Sequence, residues 1–223
     1  MQKFATATPV SAHLDIPAGL IRFIAADRSD TTVEVLPANA TKSRDVKAAE
    51  RTTVEYADGV LRITTPDARN QLLGASGSVE VTVQLPAGSR VEAKTAAADL
   101  RGVGRLGDIT FEGAQGTVKL DETATAHLTL MAGDITVGRL GGPARITTQK
   151  GDIHIAEAVH GAVELRTQAG DLTIGAARGT SATLDAGTGL GRIHNALHNT
   201  EGAAAGLTIQ ATTAYGDITA RSI

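Results

Sequence analysis

Apolar and polar residues alternate along most of the chain, in short runs that end at turns containing glycine. Val163 and Leu165 precede one such turn at Gly170, and Leu172 and Ile174 follow it. A period of two residues places every second side chain on the same face, which is the pattern of a half-buried β-strand. No segment shows a strong helical period. The pattern therefore predicts an all-β protein.

The turns in residues 98–223 share the form T-x-x-G-D-I or a close variant of it. Aligning the apolar positions around each turn sets the register, with alanine in the glycine position of the first turn: residues 98, 116, 133, 151, 170, 191 and 216. The first four intervals are 17 to 19 residues long, and the last two are 21 and 25. A recurring unit of this length is typical of a solenoid. The two longer intervals indicate insertions, within Arg192–Asn199 and Asn199–Gly206.

The predicted fold is a parallel β-solenoid (β-helix) of about six coils, formed by residues 98–223. A right-handed coil is expected, because parallel crossovers are right-handed in most proteins. Residues 1–97 lack a regular period, and we expect them to form an antiparallel β cap that is continuous with the stack. Its predicted strands are Leu20–Ile24, Thr32–Leu36, Thr53–Tyr56, Val60–Ile63 and Ser78–Leu85, and its predicted loops are Pro37–Ala40 and Pro66–Ser78.

Three motifs in order resemble a known family. They are G-x-I-x-F at Gly19–Phe23, V-x-V-x-L-P at Val81–Pro86, and the later T-x-x-G-D-I series. Together they resemble a bacterial β-strand-repeat family of unknown function whose members are often labelled "putative adhesin". The resemblance covers nearly the whole chain. It implies a β-solenoid without an established activity.

The composition limits which binding partners and which cellular location we expect. The formal net charge is −3, there is no cysteine, and the aromatic residues are two Tyr and three Phe. No clustered positive charge is available for a phosphate backbone, so nucleic acid is not an expected partner. Residues 1–20 contain Asp15 and Pro17 and no continuous apolar stretch of signal-peptide length. We therefore expect a cytoplasmic location and no membrane contact.

An acidic residue follows most of the turn glycines, and these residues are candidates for chemistry. A carboxylate ladder could bind Ca²⁺ or perform acid–base catalysis. Carboxylates about 5 Å apart repel each other, however, and an Asp beside a turn glycine commonly bonds the backbone of its own turn. We favour this structural role. The column consists of Asp99, Thr117, Asp134, Asp152, Asp171, Arg192 and Asp217.

Other candidate groups give weaker patterns. The threonines three places before the turn glycines are expected to bond neighbouring hydroxyls or carbonyls at a coil corner: Thr148, Thr167, Thr188 and Thr213. His194 and His198 could bind a metal ion if they lay on a helix, but loop histidines are the favoured interpretation. His154 and His194 share an outward column two coils apart. We assign no catalytic, cofactor-binding or metal-binding residue.

The favoured function is a non-enzymatic interaction or assembly scaffold. The chain ends five residues after Ile218, without a recognisable C-terminal cap. We therefore expect Leu207–Ile223 to form an open edge through which the protein binds a partner or itself. One alternative is an adhesin-like surface protein. Another is a carbohydrate-active solenoid that uses Asp152, Asp171 and Arg192, which stacking in chain order makes adjacent.

Overall fold

The computed structural model describes residues 1–66 and 77–223, which form seventeen strands, an α-helix and a short 3-10 helix at Gly202–Ala204. The N-terminal elements are β1 (Gln2–Ala5), β2 (Ser11–Ala26), β3 (Asp30–Pro37), α1 (Ser43–Arg51), β4 (Thr53–Ala57), β5 (Val60–Thr64), β6 (Val79–Pro86) and β7 (Arg90–Gln115). The C-terminal strands are β8 (Val118–Ala132), β9 (Ile135–Leu140), β10 (Ala144–Lys150), β11 (Ile153–Ala158), β12 (Gly161–Ala169), β13 (Leu172–Ala176), β14 (Ala182–Leu190), β15 (Ile193–Ala196), β16 (Leu207–Tyr215) and β17 (Ile218–Ser222). Most of the predicted loop Pro66–Ser78 lies outside the described residues.

Each regular coil consists of two strands joined at the T-x-x-G-D-I turn. In coil 161–176, β12 leads into the turn at Gly170 and β13 leads out of it. Equivalent strands of neighbouring coils pair in parallel, as β10 and β12 do with Ile146 opposite Leu165. Both of these side chains are fully buried in the core that the two strands of each coil enclose. The predicted all-β, parallel solenoid is confirmed.

A column of glycines confirms the predicted register of the turns. A Cβ atom on Gly133 would lie 1.7 Å from the carbonyl oxygen of Gly116, and one on Gly151 would lie 2.1 Å from that of Gly133. The turn glycines from residue 116 onward also have φ angles between 134° and 154°. A side chain at these positions would push neighbouring coils apart, and the φ angles disfavour one in any case. From residue 116 onward the turns therefore require glycine for a packing reason.

The N-terminal part is antiparallel in its outer strands. β1 pairs with β3, β3 with β6, and β4 with β5, all antiparallel. The predicted strand segments fall within β2 to β6, to within one residue. β2 instead pairs in parallel with β5, β6 and β7 and places Gly19 opposite Ala98, so it belongs to the parallel stack. β7 passes through residues 97 and 98 without a break, and a division at this point stays a prediction.

The helix α1 is not predicted from the sequence pattern. It has nine residues, and its buried residues are Asp45 and Ala48. The Oδ1 atom of Asp45 accepts a hydrogen bond from the backbone N–H of Ser78 at 3.0 Å, which ties the helix to the start of β6. Helices this short are marginal in water on their own. Packing and this hydrogen bond therefore account for the helix.

The last two coils are stacked in the reverse of their order in the chain. β16 lies between β12 and β14, and β17 lies between β13 and β15. Residues 207–222, here the inserted coil, thus lie between coil 161–176 and residues 182–196, here the end coil. The prediction that Leu207–Ile223 forms an open edge is wrong, because its strands are paired on both sides. The open edge belongs to β14 and β15.

The reversed order follows from what each coil can bury. In the end coil, Asn195 stands in register with Ala220 and Ile174, whose column is otherwise apolar. Stacking in chain order would bury the amide of Asn195 between two coils, which costs about 1–3 kcal/mol if its hydrogen bonds with water are not replaced. At the end of the stack Asn195 is exposed. The inserted coil has Ala220 in the same column and buries it fully.

Candidate functional site

The acidic residues after the turn glycines form one column, and each bonds the next coil. The Oδ1 atom of Asp134 accepts the backbone N–H of Asp152 at 2.9 Å, and Oδ1 of Asp152 accepts that of Asp171 at 2.8 Å. The same contact joins Asp99 to Thr117, and Asp171 to Asp217. The expectation that each Asp bonds its own turn is therefore wrong. These carboxylates link coils, because each next backbone N–H lies within reach.

The end coil enters the column through Arg192. The Oδ1 atom of Asp217 accepts the backbone N–H of Arg192 at 2.8 Å, and its Oδ2 atom lies 2.9 Å from the guanidinium Nη2. These contacts, the backbone bond first, hold the pKa of Asp217 below its usual range. Within residues 1–66 and 77–223, no three His, Cys, Asp or Glu residues are grouped so as to hold a metal ion.

The candidate catalytic cluster does not form as predicted. Asp152 and Asp171 are neighbours in the column, but Asp217 lies between Asp171 and Arg192. The predicted adjacency of Asp171 and Arg192 is wrong, because the inserted coil separates their coils. The three groups therefore do not converge on one point.

The threonine column holds the coil corners together, as predicted. Three of its hydroxyls donate to the turn-glycine carbonyl of the neighbouring coil, at 3.0–3.2 Å: Thr167 to Gly151, Thr188 to Gly216, and Thr213 to Gly170. Thr148 bonds the carbonyl of Lys150 in its own turn instead, at 3.3 Å. These bonds use the hydroxyl protons for structure.

The histidines singled out from the sequence are spread over separate elements. His194 lies in β15 and His198 in the loop after it, so the helical spacing needed for a joint metal site is absent from this segment. His198 donates its backbone N–H to the Oγ atom of Ser222 at 2.9 Å. His154 and His194 share an outward column, but Thr173 and Thr219 lie between them. The reversed coil order thus places them three coils apart rather than two.

A groove of about 550 Å³ crosses several coils on the face formed by β7, β8, β10 and β12. Two pairs of its polar groups bond each other. The Nε atom of Arg145 lies 2.8 Å from Oε2 of Glu164 and lowers the pKa of that carboxyl, and Thr125 donates to Asp108 at 2.7 Å. These four groups already have partners within the protein, and we assign no ligand to the groove.

The end coil presents a free strand edge. Within the described residues, β14 pairs in register with β16 and β15 with β17, and neither has a strand on its other side. Backbone N–H and C=O groups along such an edge are a template for another strand. The edge is also open to close approach, because Gly187 is exposed and carries no side chain.

Large apolar side chains are exposed beside this edge. Leu190 is 69% exposed, Tyr215 63% and Ile193 46%. Leu190 and Tyr215 are register partners on β14 and β16, and Ile193 begins β15. Single exposed apolar residues are common on protein surfaces, whereas several near a free strand edge make that edge a candidate interaction site. The free edge and these exposed apolar side chains together form the candidate site.

The sequence alone did not point to these residues, because stacking in chain order places the open edge on residues 207–223. One signal was available. Asn195 occupies a position that carries an aliphatic residue in the preceding coils, which include Ile155 and Ile174. A polar residue in a core column indicates the last coil of a stack.

The parallel stack and its glycine column have a counterpart among known families. The model of the family described as Toastrack DUF4097 matches residues 14–222. The chain belongs to this family. The resemblance seen in the sequence motifs is thereby confirmed, and the Toastrack family has no established molecular role.

Solved structures that the chain matches include three bacterial proteins. A "putative adhesin" of Bacteroides fragilis has a TM-score of 0.60 at 16% identity, over 98% of this chain and 95% of that chain. A "putative adhesin" of Parabacteroides distasonis has a TM-score of 0.46 at 14% identity, over 98% and 96%. A "putative lipid binding protein" of the same organism has a TM-score of 0.46 at 10% identity, over 98% and 95%. No curated protein matches the chain.

At 16% identity, the likeness to the Bacteroides fragilis protein shows the fold alone. The described part of this Toastrack chain contains no helix with the length and apolar character that a membrane span requires.

Proposed function

We propose that this Toastrack chain is a non-enzymatic protein-binding module that holds an extended segment of a partner against the end coil. The observation that carries the proposal is the free edge of β14 and β15 beside the exposed Leu190, Ile193 and Tyr215. The stack behind this edge is a continuous hydrogen-bonded ladder. It presents the edge as a fixed surface rather than as a loop.

The mode of binding would be the addition of one strand to the ladder. A partner segment about 4.8 Å from β14 can use the same main-chain hydrogen bonds that join the coils, and these bonds supply affinity. Apolar side chains of the partner would cover Leu190 and Ile193 and supply specificity. We therefore expect the partner to be a protein with an extended, apolar segment.

A binding role is favoured over catalysis by the geometry of the charged groups. The carbohydrate-active alternative relied on Asp152, Asp171 and Arg192, and the inserted coil separates the last two. The carboxylates of the column bond backbone N–H groups of the next coil. Turnover of a polysaccharide that is lost on Asp171→Ala, with the fold intact, would restore the enzyme hypothesis.

The location is part of the proposal. We propose a cytoplasmic module, whereas the adhesin label of the Bacteroides fragilis protein favours display at the cell surface. Protease treatment of intact cells separates these cases. An intact protein supports a cytoplasmic module, and a cleaved one supports the adhesin role.

Two substitutions test whether the partner binds at the free edge: one should block binding and the other should leave it unchanged. In Gly187→Lys the new Cβ meets no atom within 4 Å, so the fold is preserved while a charge is placed on the edge strand. Lysine on an edge strand is a common means of blocking strand addition. In the control, Met131→Lys, a charge replaces an exposed apolar residue of β8, away from the end coil.

The three proteins, wild type and both variants, are used to recover partners from the native cells at low salt. The proposal expects a protein that is retained by wild type and Met131→Lys and lost with Gly187→Lys. Recovery of the same proteins by all three would refute the edge as the binding site. Recovery of the chain itself, lost with Gly187→Lys, would make the partner a second copy.

A further inference from the structure

Coil 161–176 and the end coil contact the inserted coil in the same register from opposite sides. Leu207 lies opposite Gly161 on one side and opposite Ala182 on the other. Thr219 lies in the same way between Thr173 and His194. The neighbours of the inserted coil are thus related by a shift of two coil steps, about 9.6 Å along the stack.

The polar contacts on the two sides of the inserted coil are also equivalent. On each side a threonine hydroxyl donates to a turn-glycine carbonyl, and an aspartate carboxylate accepts a backbone N–H. Towards the end coil, the hydroxyl of Thr188 donates to Gly216, and Asp217 accepts the backbone N–H of Arg192. Towards coil 161–176, the hydroxyl of Thr213 donates to Gly170, and Asp171 accepts the backbone N–H of Asp217. If the end coil moved one step towards coil 161–176, it would find in Gly170 and Asp171 acceptors equivalent to Gly216 and Asp217, which it uses now.

The linker between the two coils is long enough to let the inserted coil leave. Ten residues, 197–206, join β15 to β16, whereas two residues join β11 to β12. Most linker residues are exposed. Fully extended, ten residues span up to about 35 Å. The inserted coil can therefore separate from its neighbours while it remains attached.

We propose that the end coil and the inserted coil compete for one position beside coil 161–176. The inserted coil occupies this position in the structure. When the inserted coil leaves, the end coil moves about 4.8 Å, pairs with β12 and β13, and leaves residues 207–222 free as a strand-forming segment. Asn195 lies in the last coil of the stack in both arrangements, so neither one buries it. The inference does not depend on the proposed binding function.

The absence of cysteine from the chain allows a direct test by disulfide formation. Thr173 and His194 are two coil steps apart in the structure, about 9.6 Å, and one step apart after the exchange, about 4.8 Å. A disulfide needs Cα atoms about 4.4–6.8 Å apart. Thr173→Cys with His194→Cys therefore reports the exchanged arrangement in the full chain.

Two alanine substitutions are compared: one that should favour the exchange of the coils and one that serves as its control. In Gly216→Ala the new Cβ would lie 2.0 Å from the carbonyl oxygen of Gly170, which forces the inserted coil away from coil 161–176. In Gly206→Ala, ten residues earlier, the new Cβ meets no atom within 4 Å. Each change adds one methyl group, one inside the inserted coil and the other at the end of the linker that leads into it.

The expected result is an intramolecular disulfide that forms at least about tenfold faster with Gly216→Ala than with Gly206→Ala, because overpacking against backbone shifts the equilibrium by that factor or more. Equal rates of disulfide formation in the two variants would overturn the proposal.

Hydrogen exchange of the wild type gives a second readout that does not rely on a variant folding. Amides of β16 and β17 are expected to exchange while those of β12 and β13 stay protected. Exchange of all four strands in one global event would contradict the proposal.

Discussion

The inserted coil and the end coil carry the same turn signature, yet one is buried between neighbours and the other closes the stack. Thr213 and Ile218 of the inserted coil correspond in register to Thr188 and Ile193 of the end coil. Ile218 is fully buried, whereas Ile193 is 46% exposed. The difference shows that the turn signature specifies the register of a coil and not its place in the stack.

The place of a coil is decided by the residues that it can bury. Leu207, Ile209 and Ala220 of the inserted coil are fully buried. The end coil has Asn195 in the column of Ala220, and a polar inward residue suits a coil with water on one side. Terminal repeats of solenoids are commonly atypical in this way, because they cap the stack. The end coil is such a repeat, although it is not the last in the chain.

The largest expected effect comes from a methyl group on a turn glycine inside the stack. The Cβ of Gly170→Ala would lie 2.0 Å from the carbonyl oxygen of Gly151, so this variant should lose about 3 kcal/mol or more of unfolding free energy. Gly187→Ala in the end coil meets no atom within 4 Å and should change the unfolding free energy by less than about 0.5 kcal/mol. Urea unfolding followed by circular dichroism measures both. Similar losses in the two variants would contradict the comparison.

Truncation of an aliphatic side chain should also cost more unfolding free energy in the inserted coil than in the end coil, although the difference should be smaller. Ile209 is fully buried in the inserted coil, and Ile209→Ala should cost about 2–5 kcal/mol. Leu184 is only partly buried in the end coil, and Leu184→Ala should cost less than about 2 kcal/mol. The same urea titrations provide the measurement. A larger loss for Leu184→Ala would mean that the end coil is the more deeply buried one.

Asn195→Leu removes the polar residue that distinguishes the core face of the end coil from that of the inserted coil. The leucine adds apolar surface to the open end of the core, so the variant should self-associate more strongly than the wild type. Its unfolding free energy at low concentration should change by less than about 1 kcal/mol. Sedimentation over a range of concentrations measures the association. His194→Leu is the control, because this position faces outward, and equal association of both variants would contradict the account.

The smallest expected effect is a pH dependence at the contact between the two coils. The pKa of Asp217 is lowered in the folded protein from 3.8, by the backbone N–H of Arg192 first and then by its guanidinium. A lowered folded-state pKa gives stability that is present above pH 3.8 and is lost as the pH falls through the folded value. The melting temperature of the wild type should therefore exceed that of Asp217→Asn near neutral pH, and the difference should shrink in acid. A difference that grows as the pH falls would contradict this assignment.

The sequence predicts the register well, because each turn has a steric signature. Glycine, aspartate and the flanking apolar residues locate all seven turn positions, with Ala98 in the glycine position of the first turn. A carbonyl oxygen lies within about 2 Å of where a Cβ atom would be at Gly133 and Gly151, so these positions have no room for a side chain. Local sequence therefore specifies the local geometry of the coil.

The order of the coils and the site are less accessible from the sequence. All coils share one register, so pairing of β12 with β14 or with β16 satisfies the same local pattern. Long-range burial decides between them, and Asn195 is the one residue that points to the outcome. The adjacency of Asp171 and Arg192 failed for the same reason. The helix α1 was missed because a tertiary contact between Asp45 and Ser78 stabilises it.

The most direct test of the reversed coil order is disulfide formation between Thr173→Cys and Thr219→Cys in the cysteine-free chain. These residues are register partners on β13 and β17, about 4.8 Å apart, within the range that a disulfide spans. The account predicts rapid, intramolecular cross-linking without loss of the folded signal. In a stack built in chain order the end coil would separate the two cysteines by about 9.6 Å. Failure to cross-link in the folded protein would contradict the central claim.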